Sequence, residues 1–287
     1  MNPSIKIIEC PRDAMQGLAL FIPTALKVDY INKLLRVGFD TIDFGSFVSP
    51  KAVPQMADTT MVLDQLDSGP SHTKLLAIIA NTRGAAEAAK YGKITYLGFP
   101  LSISDTFQRR NTNKSIPEAL NSLEEIKNIC VKANKKLVTY ISMGFGNPYG
   151  DPYEVDLVLQ FVDILMTLGS DVISLADTIG VAESPAIESL FSSVCAKFPQ
   201  AEIGAHLHST PLTSRSKIEG AWRGGCRRFD GALRGFGGCP MAKDELVGNI
   251  ATETIVSLFE EEGVLPPLDK KNFLEALSFA DKVFLEQ

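Results

Sequence analysis

Histidine is scarce in this chain: three residues in 287, against 28 lysines and arginines and 34 aspartates and glutamates. The net charge of −6, without any long basic run, excludes the electrostatic footprint of a nucleic-acid binder and argues against an anionic membrane surface. Cysteine is also sparse, with five residues at 10, 130, 195, 226 and 239. An odd count without a Cys-x-x-Cys pair excludes a complete disulfide framework and suits a reducing compartment. No apolar run is long enough to span a bilayer. Nothing at the start resembles a signal or transit peptide, because Met1 leads almost directly into Ile5-Lys6-Ile7-Ile8. The expectation is a cytoplasmic protein. There is no Ser/Gly linker, low-complexity tract or midpoint shift in composition, so one domain over 1–287 is expected.

What the chain does have is alternation. Short apolar, β-rich runs read as strands at Ile5–Cys10, Thr41–Phe44, Lys74–Ala80, Ile94–Phe99, Leu137–Ser142, Val172–Leu175, Glu202–His206 and Arg228–Leu233. Amphipathic stretches read as helices at 24–37, 58–66, 82–91, 116–133, 152–168, 184–197, 212–223 and 241–261. Ser115 to Glu118 has capping-box spacing, and Asp151-Pro152 and Ser184-Pro185 each read as an N-cap followed by proline. Gly38, Gly92 and Gly169 read as helix stops. Strict alternation implies parallel strands with helical crossovers, and eight units predict an α/β fold closed as a (β/α)₈ TIM barrel. An open doubly wound sheet would want Gly-x-Gly-x-x-Gly after its first strand, where Cys10-Pro11-Arg12-Asp13-Ala14-Met15-Gln16 stands instead. Phe273, Leu277, Ala280 and Phe284 predict an additional C-terminal helix over 269–286, packed on the barrel or on a second subunit, as in a homodimer.

Two of the three histidines, His206 and His208, sit two residues apart in Gly204-Ala205-His206-Leu207-His208. On a strand both imidazoles share a face, which is half of a metal site or simply a hydrogen-bonded pair. In a TIM barrel the working groups stand at the C-terminal strand ends. Arg12, Asp13, Asp43, Ser142, Asp177, His206, His208, Arg234 and Cys239 all fall at that end. Asp13 is the natural anionic partner, giving a mixed N/O set suited to Mn²⁺, Mg²⁺, Fe²⁺ or Zn²⁺. Taken singly, Asp13 could pair with Arg12, Asp177 could cap its loop, and Asp43 could hold a loop through backbone hydrogen bonds. Gly235-Phe236-Gly237-Gly238-Cys239-Pro240 is either a plain connector or a flexible segment that brings the Cys239 thiol over the mouth. Cys130, Cys195 and Cys226 read as packing, and Cys10 ends the first strand.

Several motifs together resemble the hydroxymethylglutaryl-CoA lyase family: Pro11-Arg12-Asp13 with Gln16, Ser46-Phe47-Val48-Ser49-Pro50-Lys51, Val53-Pro54-Gln55-Met56, Ser174-Leu175-Ala176-Asp177-Thr178-Ile179-Gly180, the histidine pair, Gly237-Gly238-Cys239-Pro240 and Gly248-Asn249-Ile250-Ala251-Thr252-Glu253. They run in order from about Ile5 to the last helix. The resemblance implies a carbon–carbon lyase that cleaves 3-hydroxy-3-methylglutaryl-CoA, or a close 3-hydroxyacyl-CoA, to acetyl-CoA and acetoacetate by a retro-Claisen step. It implies a divalent metal, Mg²⁺ or Mn²⁺, held at Asp13, His206, His208 and Asn249. Arg12 then stabilises the enolate, Cys239 transfers a proton, and Asp43 and Asp177 are acidic site residues. The general base is expected among His206, Asp43 and Asp177. Gln16 and Ser142 are expected beside the site, and Arg109, Arg110 and Lys114 are candidates for the CoA phosphates.

The sequence also departs from that pattern. Asp43 replaces a glutamate, which shortens the side chain by about 1.5 Å. Ala14-Met15 replaces Gly-Leu, Ser209-Thr210-Pro211-Leu212 replaces Asp-Thr-Tyr-Gly, Met143 and Asn147 stand at frequent cysteine positions, and Met241 replaces a tyrosine. These departures keep two alternatives open: a related barrel aldolase or acyltransferase acting on a 2-oxo acid, and a metal-binding barrel without turnover.

Overall fold

Eight parallel strands close into a ring: β1 (Lys6–Glu9), β2 (Thr41–Ser46), β3 (Lys74–Ile78), β4 (Ile94–Ser102), β5 (Lys136–Ser142), β6 (Val172–Asp177), β7 (Ile203–Ser209) and β8 (Arg228–Gly231). Each pairs with its sequence neighbours, and β1 closes on β8 with Lys6 opposite Arg228 and Glu9 opposite Gly231. This computed structural model describes residues 4–67, 69, 71–238 and 247–285. Around the ring run α1 (Pro11–Gln16), α2 (Thr24–Leu35), α3 (Thr59–Gln65), α4 (Thr82–Ala88), α5 (Asp105–Thr112), α6 (Ile116–Lys132), α7 (Val155–Thr167), α8 (Ser184–Lys197), α9 (Ser214–Arg223) and α10 (Thr252–Glu261). The expected TIM barrel is the fold.

Strand alternation divides the apolar residues into two layers. Leu76, Ile78, Tyr96, Val138, Tyr140 and Val172 pack together as an interior cluster. Their neighbours Leu75, Ala77, Leu97, Leu137 and Ile173 join the larger cluster that includes the helices. The opposite wall of the interior is polar: Arg228, Asp230 and Ser174 are buried there with the histidine strand β7.

The C-terminal helix α11 (Lys270–Phe284) packs on the barrel itself. Tyr30 of α2 stacks on Phe279 at 6.3 Å and meets Phe284 edge-on at 5.9 Å, while Phe236 stacks on Phe284 at 4.6 Å. Among the described residues, no helix is long and apolar enough to cross a membrane.

The expected boundaries and caps fail in five places. The segment after β1 is helical as α1, and 105–112 forms α5 rather than loop. The last barrel helix begins at Thr252, because Gly248–Asn249 forms a short strand, β9, antiparallel to β7. Residues 241–246 of the expected helix lie outside the described residues. Asp151 does not cap α7, which starts at Val155; its carboxylate instead accepts from Ser104 Oγ at 2.5 Å and from Thr106 N and Oγ1 at 3.0 Å. Ser184 is already inside α8, with Glu183 as the cap. The capping box at Ser115 forms as expected.

Candidate active site

The site begins with α1, whose single turn follows β1 directly and places Arg12 and Asp13 at the C-terminal rim. Arg12 is only 7% exposed, so its guanidinium needs partners within the protein. Asp43, from β2, takes Nε at 3.0 Å and Nη2 at 2.5 Å, and Asp13 takes Nη1 at 2.8 Å. Burial pushes the Asp43 carboxyl up to about 6 despite the Arg12 charge. Burial also works against the Asp13 carboxylate, but Arg12, the two histidines and Asn249 together hold it below the usual range.

Asp13 is the hub. Its Oδ1 also accepts from Gln16 Nε2 at 2.8 Å, and its Oδ2 accepts from Asn249 Nδ2 at 2.7 Å. Strand β9 delivers Asn249 by pairing it with His208 across the antiparallel register. The two imidazoles lie 5.2 Å apart, centroid to centroid. Each has its Nδ1 engaged: His208 donates to the Val247 carbonyl at 3.1 Å, and His206 Nδ1 meets Asp230 Oδ2 at 3.1 Å. Both Nε2 atoms are then the lone-pair side of the ring. Burial lowers the His208 pKa, assisted by the charge on His206. For His206, burial is outweighed by Asp230 and then Asp13, and the pKa rises.

Ligand atoms of Asp13, His206 and His208 lie within 4.8 Å of one another. With the Asn249 amide adjoining, the donors are one carboxylate, two imidazoles oriented through Nδ1 and one amide, a mixed N/O set that fits a divalent cation. Cys10, His206 and Asp230 form a second trio of the same spacing. The two differ in access: Asp13, His206 and His208 line the cavity, whereas Cys10 and Asp230 do not. Burial, followed by four nearby carboxylates, also pushes the Cys10 thiol well up, which keeps it protonated.

The cavity at this rim has a volume of about 180 Å³. Arg12, Asp13, Gln16 and the histidines form one side, Ser46, Ser142 and Thr178 add hydroxyls, and Val48, Pro100, Phe107 and Tyr140 form an apolar wall. Asn111 and Thr112 of α5 line it as well. Their neighbours Arg109, Arg110 and Lys114 do not. Arg109 pairs with Asp105 at 2.7 Å, Arg110 lies over the Tyr149 ring at 4.6 Å, and Lys114 reaches Ser122 Oγ at 2.6 Å.

Two expected acidic residues stand behind the cavity wall. Asp43 is fully buried against Arg12. Asp177 is 1% exposed and is held by Lys217 Nζ at 2.7 Å and by the Val181 and Ala182 amides. Lys217 also donates to the carbonyls of Gly180 and His208, tying the loop after β6 to the end of β7. Of the three base candidates, only His206 lines the cavity. Sequence reasoning missed Lys217 and Asp230; the signal for Asp230 was a carboxylate on the same strand face as another charged residue, Arg228. Cys239 lies outside the described residues, while the loop that leads to it passes close over the site. At Gly237, with φ +109°, a Cβ would collide with Asn249 Nδ2 and lie 3.0 Å from the Asp13 carbonyl.

Comparison with known proteins agrees with this geometry. The profile of the HMGL-like family matches residues 5–279. The hydroxymethylglutaryl-CoA lyase YngG of Bacillus subtilis is 34% identical over 272 residues, spanning 95% of this chain and 90% of that protein. The cytoplasmic 3-hydroxy-3-methylglutaryl-CoA lyase of Homo sapiens is 31% identical over 281 residues, spanning 97% of this chain and 75% of that protein. A solved HMG-CoA lyase from Acinetobacter baumannii, in complex with coenzyme A and 3-methylmalate, superimposes with a TM-score of 0.90 at 29% identity, covering 98% of this chain and 91% of that one. With the barrel, the rim site and a match along nearly its whole length, the chain belongs to the HMGL-like family.

Proposed function

We propose that this protein is a divalent-metal-dependent carbon–carbon lyase that cleaves 3-hydroxy-3-methylglutaryl-CoA to acetyl-CoA and acetoacetate. The observation that carries the reading is the convergence of Asp13, His206 and His208 beside Arg12 on one cavity, with Asn249 bonded to Asp13. The names of the bacterial and human relatives support the substrate, and the coenzyme A held by the solved neighbour supports an acyl-CoA.

In the reaction the bond between C2 and C3 of the acyl chain breaks. The C3 hydroxyl gives up its proton and becomes the ketone of acetoacetate, while the bonding pair passes to C2 as the enolate of acetyl-CoA. Asp13, His206, His208 and Asn249 would hold Mg²⁺ or Mn²⁺, which would supply Lewis acidity toward that hydroxyl. Arg12 places a fixed, desolvated cation where the enolate develops. Asp43 orients the guanidinium, and the Lys217–Asp177 pair fixes the strand end that carries His208. His206, alone of the three base candidates, lines the cavity and takes that proton only where its Nε2 is not a metal donor, Cys239 at the end of the glycine loop protonates the enolate carbon, and Gln16 and Ser142 bound the acyl group. Arg109, Arg110 and Lys114, on α5 and the turn after it and adjoining the cavity-lining Asn111 and Thr112 in the chain, would leave Asp105, Tyr149 and Ser122 to meet the CoA phosphates.

The test is product analysis. Purified protein with Mg²⁺ or Mn²⁺ and 3-hydroxy-3-methylglutaryl-CoA should release acetyl-CoA and acetoacetate in equal amounts, and chelation should stop it. Absence of both products with either metal would overturn the reading.

A further inference from the structure

Below His206 the barrel interior holds a column of charged groups that the rim chemistry does not use. Asp230 is 4% exposed and accepts from His206 Nδ1 through Oδ2, while its Oδ1 has no hydrogen-bond partner among the described residues. Arg228, two residues earlier on β8, points to the same side of the strand. It is 1% exposed, and its Nε and Nη2 are likewise unpartnered among the described residues. Its Nη1 reaches Glu202 at 3.4 Å and Asp40 at 3.7 Å. Two strands away on β6, the buried Ser174 Oγ is also unpartnered among the described residues, and the register runs from Ser174 through Gly204 to Arg228.

Gly204 is what gives these groups room. It precedes His206 by two residues on the same face of β7, and a Cβ there would lie 3.1 Å from Ser174 Oγ and 3.2 Å from Arg228 Cδ. Buried polar atoms so placed are normally satisfied, often through ordered water. Burial disfavours the Arg228 charge, yet Asp230, ahead of its other neighbours, raises its pKa.

We propose that Asp230 is a positioning residue, which holds His206 as the Nδ1–H tautomer so that Nε2 faces Asp13 and His208. A carboxylate behind a ligating histidine fixes ring orientation and raises its basicity, and loss of such a partner costs 10–100-fold in metal affinity as an order of magnitude. The consequence for metal rests on the proposed function; the effect on the tautomer does not.

The experiment is nitrogen NMR of the metal-free protein above the histidine titration range, followed by calorimetric titration with Mn²⁺. Only three histidines need assignment. Because Arg228 lies two residues away on the same strand face with two unpartnered nitrogens among the described residues, the variants are Asp230→Asn and the apolar pair Asp230→Leu/Arg228→Met. The wild type should show His206 protonated at Nδ1. The double variant should lose that preference and bind Mn²⁺ ~10–100-fold more weakly. Asp230→Asn, which retains an acceptor, should fall between. A folded double variant with an unchanged His206 tautomer overturns the proposal. A tautomer that shifts in a protein whose wild type binds no Mn²⁺ sustains the positioning role and retires the metal reading instead.

Discussion

Asp43 grips Arg12 edge-on, with two of its guanidinium nitrogens at 3.0 and 2.5 Å and both residues buried. The side chain is one methylene shorter than the glutamate usual at this place in the family, yet the contact is fully made. The guanidinium is therefore preorganised before any substrate arrives.

Arg12→Met should lower kcat by about 10²–10³, the usual loss when a donor to a developing oxyanion is removed. Mn²⁺ affinity should change little, because the metal donors remain. Arg12→Lys keeps a charge but not the planar fork, and should fall between. Steady-state kinetics with parallel calorimetry check this; near-wild-type turnover in Arg12→Met removes the arginine from the mechanism.

Lys217→Met strands the Asp177 carboxylate in the interior. Stability should drop by about 3–5 kcal/mol, as expected when one member of a buried pair is lost. Lys217→Met/Asp177→Leu should recover part of it. Urea unfolding followed by circular dichroism measures both. A single variant as stable as the wild type would mean that the pair of 3% and 1% exposed side chains is not a structural unit.

Much of the barrel is legible in the sequence because burial on both faces forces apolar strands to alternate with one-sided helices. Six residues of α1 and eight of α5 carry too few turns for periodicity to register, so both pass for loops. Arg12, Asp13 and the histidines are visible through the strand-end rule and Asn249 only through the family resemblance, and the five do meet there. Asp230 gives as local signal only its place on the strand face of Arg228 and Lys217 gives none, because a buried charge is explained by its partner. Those partners lie 24 and 40 residues away in the chain, in contacts that no local pattern encodes.

Glu9 gives a pH signature. It is fully buried on β1, accepts from Leu233 N at 2.9 Å and Thr252 Oγ1 at 2.5 Å, and burial pushes its carboxyl up to about 8 from 4.5. Because the folded pKa is the higher one, its contribution is fully present below about 4.5 and is lost as pH rises to about 8. Glu9→Gln should remove that loss, which is bounded above by about 4–5 kcal/mol from ~1.4 kcal/mol per pKa unit. Denaturant melts at several pH values test it. Parallel stability profiles for wild type and variant over that window would contradict the assignment.

Gly237→Ala should damage the metal site without touching a ligand. The position needs φ +109°, and the added methyl meets Asn249 and the backbone at Asp13. Mn²⁺ binding should weaken by at least about tenfold, the scale seen when the support of a ligand is lost. Gly92→Ala, where a Cβ meets nothing within 4 Å, is the control. Equal calorimetric affinities in the two variants would count against close passage of the loop over the site.

The most direct measurement is an anomalous difference map from a crystal of this protein soaked in Mn²⁺. The account predicts a single strong peak at the rim, bonded by Asp13, His206, His208 and Asn249. A map with no peak among those four side chains, or with manganese bound by Cys10 and Asp230 instead, would contradict it.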